Sequence, residues 1–170
     1  MNAFNNIMLL VLFFTPLATF FFLRIFRIAH HYFEARKLNI PILVSLVSRY
    51  DKLWLLSRRY FWWIEHLPFG VGEGFRFSHH GWTLDDRWRI HERYGEAFII
   101  VSPGANEIYI SNGAATVEVL TKYKTWPKPL DVYKPFDVFG KNVLTVNGAE
   151  WSHHRKIIGP GFKESNCKLV

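Results

Sequence analysis

The chain has 170 residues, of which 49% are hydrophobic and 18% aromatic, with a formal net charge of +7 and a pI near 9.6. So high a pI invites a nucleic-acid reading, which the distribution of charge excludes. Arg24, Arg27, Arg36, Lys37, Arg49, Lys52, Arg58 and Arg59, set against Glu34 and Asp51, leave the rest of the chain almost neutral, so no basic face spreads over a folded surface.

At the start, the window from Phe4 to Leu23 carries no charge and is rich in Phe and Leu, with Asn5, Asn6, Thr15 and Thr19 as its only polar side chains. A helix of that length rises about 30 Å, enough to cross a bilayer. Pro16 lies near its middle, where a membrane helix tolerates it with a kink. No positive segment precedes the apolar run and no small-x-small site follows it, so an uncleaved anchor is favoured over a signal peptide. The basic cluster beginning at Arg24 then keeps the following residues cytosolic and the N-terminus luminal.

Residues 1–30 are thus read as a transmembrane anchor and 31–68 as a basic, aromatic juxtamembrane segment. Leu43, Leu46, Val47, Tyr50, Leu53, Trp54, Ser57, Phe61 and Ile64 follow three-and-four spacing and predict an amphipathic helix over 42–67. Trp54, Tyr60, Trp62 and Trp63 are residue types that settle at a headgroup layer, although packing on the domain core is the alternative. Residues 69–81, with three alternating glycines, read as a linker. A dinucleotide loop is excluded because the spacing is wrong and no strand precedes it.

From Trp82 a globular part is expected. Thr83 and Asp86 suit a capping box, and Leu84, Trp88 and His91 share a face of a helix stopped by Gly95. Ala97–Val101 and Ile108–Ser111, joined by a turn at Ser102–Asn106, predict a hairpin. Asn112 caps a helix reaching about Tyr123, and a long apolar connection with little regular pattern runs from Thr125 to Val146. A last helix begins at Gly148, capped by Asn147 with Glu150 three residues on, and ends at Gly159-Pro160-Gly161. On it Trp151 and Arg155 stand one turn apart, two donors suited to a carboxylate; a plain stack of Arg on Trp is the bland alternative.

The pattern Trp151-x-x-His154-Arg155-Lys156, after Asn147-Gly148 and before Gly159-Pro160-Gly161-Phe162, resembles the C-helix region of the cytochrome P-450 family of haem-thiolate monooxygenases. The preceding order of elements is similar to that family's A helix, first sheet strands, B helix and B–C loop. The resemblance implies a mainly α fold with a small β-hairpin, a haem cofactor, and a propionate clamp made by Trp151 and Arg155, with His154 secondary. It places Tyr133, Phe136, Val138 and Phe139 of the connection in the substrate pocket, against ordinary loop packing as the residue-by-residue alternative. It further implies an endoplasmic reticulum membrane location, a lipophilic substrate, and electrons from NADPH-cytochrome P-450 reductase.

The family's axial cysteine loop, its oxygen-activating helix and its Glu-x-x-Arg motif are not found here, and Cys167 does not align with the thiolate position. The chain therefore reads as an N-terminal portion of such an enzyme, inactive alone, with residues 82–170 an incomplete domain expected to fold incompletely outside the whole. The alternative is a non-catalytic single-pass membrane protein that binds lipid or a partner protein. The paired histidines at 30–31, 79–80 and 153–154 lack zinc-ligand spacing, so no metal site is expected in the chain itself.

Overall fold

A computed structural model describes residues 2–68, 70–163 and 166, in two compact units, Met1–Asn112 and Gly113–Val170. The first is organised on a three-stranded sheet in the order β1-β2-β3. Strand β1 (Ile42–Val44) runs parallel to β2 (Ala97–Val101), which pairs antiparallel with β3 (Asn106–Ile110). The expected hairpin is present, and β1 adds a strand to it. Central β2 is buried on both faces, which is why Ala97-Phe-Ile-Ile-Val101 is continuously apolar instead of alternating.

One face of β2 packs Phe98 and Ile100 with Leu43, Phe77, Trp82 and Ile90. Phe98 stacks on Tyr109 at 5.2 Å between centroids, and Trp82 meets Tyr109 edge-on at 4.9 Å. The opposite face packs Ile99 and Val101 with Ala35 and Ile28, which belong to helix α1 (Asn2–Arg36). This helix does not stop near residue 30. Its segment Val11–Arg36 is long and apolar enough to cross a membrane, with its most apolar window unburied, while the last turns pack on the sheet. His31 Nδ1 lies 2.7 Å from the Ser102 carbonyl, Asn106 Nδ2 donates to the His31 carbonyl at 2.9 Å, and Arg24 pairs with Asp51 at 2.6 Å.

The structure corrects the helix expected over 42–67. Residues 42–44 are strand, and the remainder forms a short α2 (Lys52–Ser57) and 3-10 turns at Arg58–Tyr60 and Trp62–His66. Buried Ser45 and Ser48 turn the chain locally: the Ser45 hydroxyl donates to the Val47 carbonyl, and the Ser48 hydroxyl accepts from the Tyr50 amide. Those bonds offer the backbone an alternative to a helix ladder. Trp54 is buried, its indole donating to the Ser78 carbonyl at 3.2 Å and its ring 4.1 Å from Phe75. Tyr60, Trp62 and Trp63 are exposed.

The glycine-rich stretch is likewise not a linker. It forms α3 (Val71–Arg76), with Gly72, Gly74 and Phe75 buried. A Cβ on Gly74 would collide with the Val44 carbonyl and stand 3.0 Å from Ser45 Cα, and one on Gly72 would collide with the carbonyls of Glu65 and Leu67. The glycines are there so that a helix can lie directly on backbone. The following helix is also split, into α4 (Trp82–Asp86) and α5 (Arg89–Tyr94), by Arg87 at a φ of 56°. Thr83 and Asp86 form no capping box, because α4 starts at Trp82 and the buried Asp86 carboxylate binds Arg76 at 2.6 Å.

The second unit contains α6 (Gly113–Thr121), α7 (Leu130–Tyr133), a 3-10 turn at Lys134–Phe139, α8 (Gly148–Ile158) and a closing 3-10 turn at Gly159–Phe162. The connection 125–146 thus carries more regular structure than its sequence suggests. Both ends of α8 fall where expected.

Two outcomes follow from the first unit. Gly74→Ala is expected to cost about 1–3 kcal/mol through backbone displacement, read as a lower midpoint in thermal unfolding. Tyr109 has its phenol pKa raised above the ordinary 10.0, first by burial and then by the Glu107 carboxylate. Because the folded state favours the neutral phenol, its contribution is full below about pH 10 and is lost as pH rises beyond. Alkaline unfolding should therefore begin above pH 10, and Tyr109→Phe should move it to higher pH.

Candidate functional site

Within the second unit, α8 presents Trp151 and Arg155 one turn apart, as the spacing requires. The Arg155 guanidinium lies 4.9 Å from the Trp151 ring centroid. Tyr123 packs on the same indole at 4.9 Å, and the Lys128 ammonium stands 5.9 Å from it. Trp151 is half-buried and Arg155 exposed.

Among the described residues neither the Trp151 indole N–H nor the Arg155 guanidinium donates to a protein acceptor. The Lys128 ammonium donates to the carbonyls of Val143 at 2.5 Å and Leu144 at 3.3 Å, and burial lowers its pKa. Unspent donors with a cation behind them suit an acceptor-only group of negative charge, such as a carboxylate. His154 makes no described contact with Trp151 or Arg155. It is half-buried, and its ring neighbour is His153 at 6.2 Å. Among the described residues no group of three His, Cys, Asp or Glu side chains gathers to hold a metal.

The start of α8 is built differently from the expected reciprocal cap. Asn147 stands at the N-cap with extended backbone, but its side chain makes no cap bond. Instead its amide grips the backbone of Lys128, Nδ2 donating to the carbonyl at 3.0 Å and Oδ1 accepting from the N–H at 3.3 Å. A primary amide donates and accepts at once, so Asn147 binds both backbone groups of Lys128, ties the ends of the connection together and sets Lys128 beside Trp151. Glu150 lies 3.6 Å from Lys141 instead of reaching back to the cap. Asn142 closes the turn before the helix, accepting from the Leu144 amide at 2.9 Å.

The residues assigned to a substrate pocket are mostly exposed. Val138 and Phe139 are 80% and 95% exposed, Phe136 is exposed and Tyr133 half-buried, and no described contact joins them to Trp151 or Arg155. A cavity of about 620 Å³ lies on a neighbouring side of α8, lined by Tyr123, Lys124, Ser152, His153 and Lys156 among others. Sequence reasoning missed Tyr123 and Lys128; the latter sits between Pro127 and Pro129, where no periodicity marks it. Cys167 lies outside the described residues.

Comparison with known proteins bears on what this face is for. A cytochrome P-450 monooxygenase of Arthrobotrys oligospora is 28% identical over 133 residues, 78% of this chain and 23% of its own length. One from Penicillium roqueforti is 26% identical over 156 residues, 89% of this chain and 27% of its own length. The chain is related to the cytochrome P-450 monooxygenases. One from Postia placenta is 37% identical over a shorter stretch of 70 residues, 41% of this chain and 14% of its own. No family model matches the chain, and no solved structure matches it. The chain spans about a quarter of the length of the Arthrobotrys oligospora and Penicillium roqueforti relatives, consistent with an N-terminal portion.

The Asn147 clamp can be tested directly. Asn147→Ala is expected to destabilise the second unit by about 1–2 kcal/mol, the loss of hydrogen bonds to partly buried backbone groups. Hydrogen exchange at the Lys128 amide should accelerate, while exchange within β2 should not change.

Proposed function

We propose that this chain is the anchor and propionate-side portion of a membrane-bound haem-thiolate monooxygenase. The single observation that carries the reading is the face of α8 on which Trp151 and Arg155 hold unspent donors one turn apart, in a chain related to that family. A haem propionate is a carboxylate with four acceptor sites, and an indole N–H with a guanidinium fork can take two of its oxygens together. Arg155 would leave its stack on Trp151 to do so, and Lys128 would add positive potential from behind. His154 has a secondary, adjoining place.

When bound, the haem would supply oxygen activation and one-electron chemistry. This chain's own residues bind and orient the cofactor's carboxylate edge. The 130–139 segment, with Tyr133, Phe136, Val138 and Phe139, supplies apolar surface for a lipophilic substrate. Helix α1 anchors the protein in the endoplasmic reticulum membrane, N-terminus luminal, with Tyr60, Trp62 and Trp63 against the headgroup layer. Electrons come from NADPH-cytochrome P-450 reductase.

The test compares haemin with haemin dimethyl ester, whose propionates carry no charge, by absorbance titration of the detergent-solubilised chain. Haemin is expected to bind at least about tenfold more tightly, the scale of charge-assisted hydrogen bonds. The difference should vanish in the Trp151→Phe, Arg155→Gln double variant. Equal affinity for the two porphyrins in the unaltered chain would overturn the propionate assignment.

A further inference from the structure

Where the apolar part of α1 meets the sheet, Phe20, Leu23, Arg24 and Arg27 line one helix face at three-and-four spacing. They face Tyr50, Asp51 and the hairpin turn at Pro103–Gly104 across a cavity of about 390 Å³. Its cations are not equivalent. Arg24 is held by Asp51 at 2.6 Å and lies over the Phe20 ring at 5.2 Å, which neutralises the one carboxylate that lines the cavity. Arg27 is exposed and has no acidic partner among the described residues. The cavity therefore offers one uncompensated guanidinium, in a rigid fork suited to a phosphate.

Phe20 and Leu23 also line a second cavity, of about 660 Å³, that continues along the same helix past Thr19, Pro16 and Thr15 to Val11. The hydroxyls of Thr15 and Thr19 donate to the carbonyls of Val11 and Thr15 at 2.5 and 2.8 Å. The polar atoms are thereby spent within the helix, and the groove wall is apolar. From Val11 to Leu23 a helix rises about 18 Å, close to the hydrocarbon depth of one leaflet.

We infer that the two cavities form one site for an anionic phospholipid, its phosphate at Arg27 and Tyr50 and an acyl chain along the groove ending at Val11. The shared walls at Phe20 and Leu23 give it the shape of a lipid, with cation at the headgroup level and apolar wall below. This rests on the reading of α1 as a membrane helix.

The experiment uses the full chain in dioleoylphosphatidylcholine vesicles carrying trace spin-labelled phosphatidylserine or phosphatidylcholine, with the motionally restricted fraction read by electron spin resonance. Phosphatidylserine is expected to associate about fivefold more strongly. Arg27→Gln should bring the two lipids to parity, and Arg59→Gln, an exposed arginine outside the cavity, should leave the preference intact. Inorganic phosphate at matched ionic strength should not compete. Equal association in the unaltered chain, a preference that survives Arg27→Gln or falls equally in Arg59→Gln, or displacement by free phosphate would each overturn the lipid site. Flotation of the chain with the vesicles tests the anchor separately: a chain that floats without selectivity lacks the site, and one that does not float lacks the anchor.

Discussion

The first unit depends on burying β2 from both sides. A strand with Phe98 and Ile100 on one face and Ile99 and Val101 on the other needs two covering layers, and the chain draws them from distant places. Trp82, Phe77 and Ile90 close one face with aromatic contacts to Phe98 and Tyr109. The other is closed by Ala35 and Ile28, at the end of the helix whose earlier turns are apolar and exposed. The helix that reads as a membrane element is therefore also a core element, and residues 24–36 serve the sheet.

What was legible in the sequence is what local chemistry decides. Ala97–Val101 and the turn at Ser102–Asn106 announce a hairpin, and the glycine-proline-glycine after Ile158 marks where α8 ends. What was not legible depends on partners far along the chain. Ile42-Leu43-Val44 looks helical by spacing, and only its parallel register with Ile99–Val101 makes it strand. Gly72 and Gly74 look like loop until the carbonyls of Glu65, Leu67 and Val44 stand against them. Asn147 has the identity and position of a cap, yet the backbone of Lys128, 19 residues away, takes its amide.

In the second unit the pair Trp151 and Arg155 was readable because helical spacing alone puts them on one face. Tyr123 and Lys128 were not, since they reach the indole through the folded connection. The connection itself is less loose than its composition suggests, with Asn142 and Asn147 each using an amide to fasten backbone to backbone. Two asparagines thus do for this loop what a regular hydrogen-bond ladder does for a strand.

The uninterrupted course of α1 from Asn2 to Arg36 has a mechanical consequence. A flexible tether would let a domain sample many attitudes above a membrane, but a continuous helix whose last turns pack on the sheet couples the two, with Pro16 as a point where it can bend. In a bilayer thinner than its apolar length such a helix tilts, and the part beyond Pro16 carries the sheet fastened to Ala35 and Ile28 with it. Bilayer thickness would then set the attitude of the exposed aromatic face of Tyr60, Trp62 and Trp63.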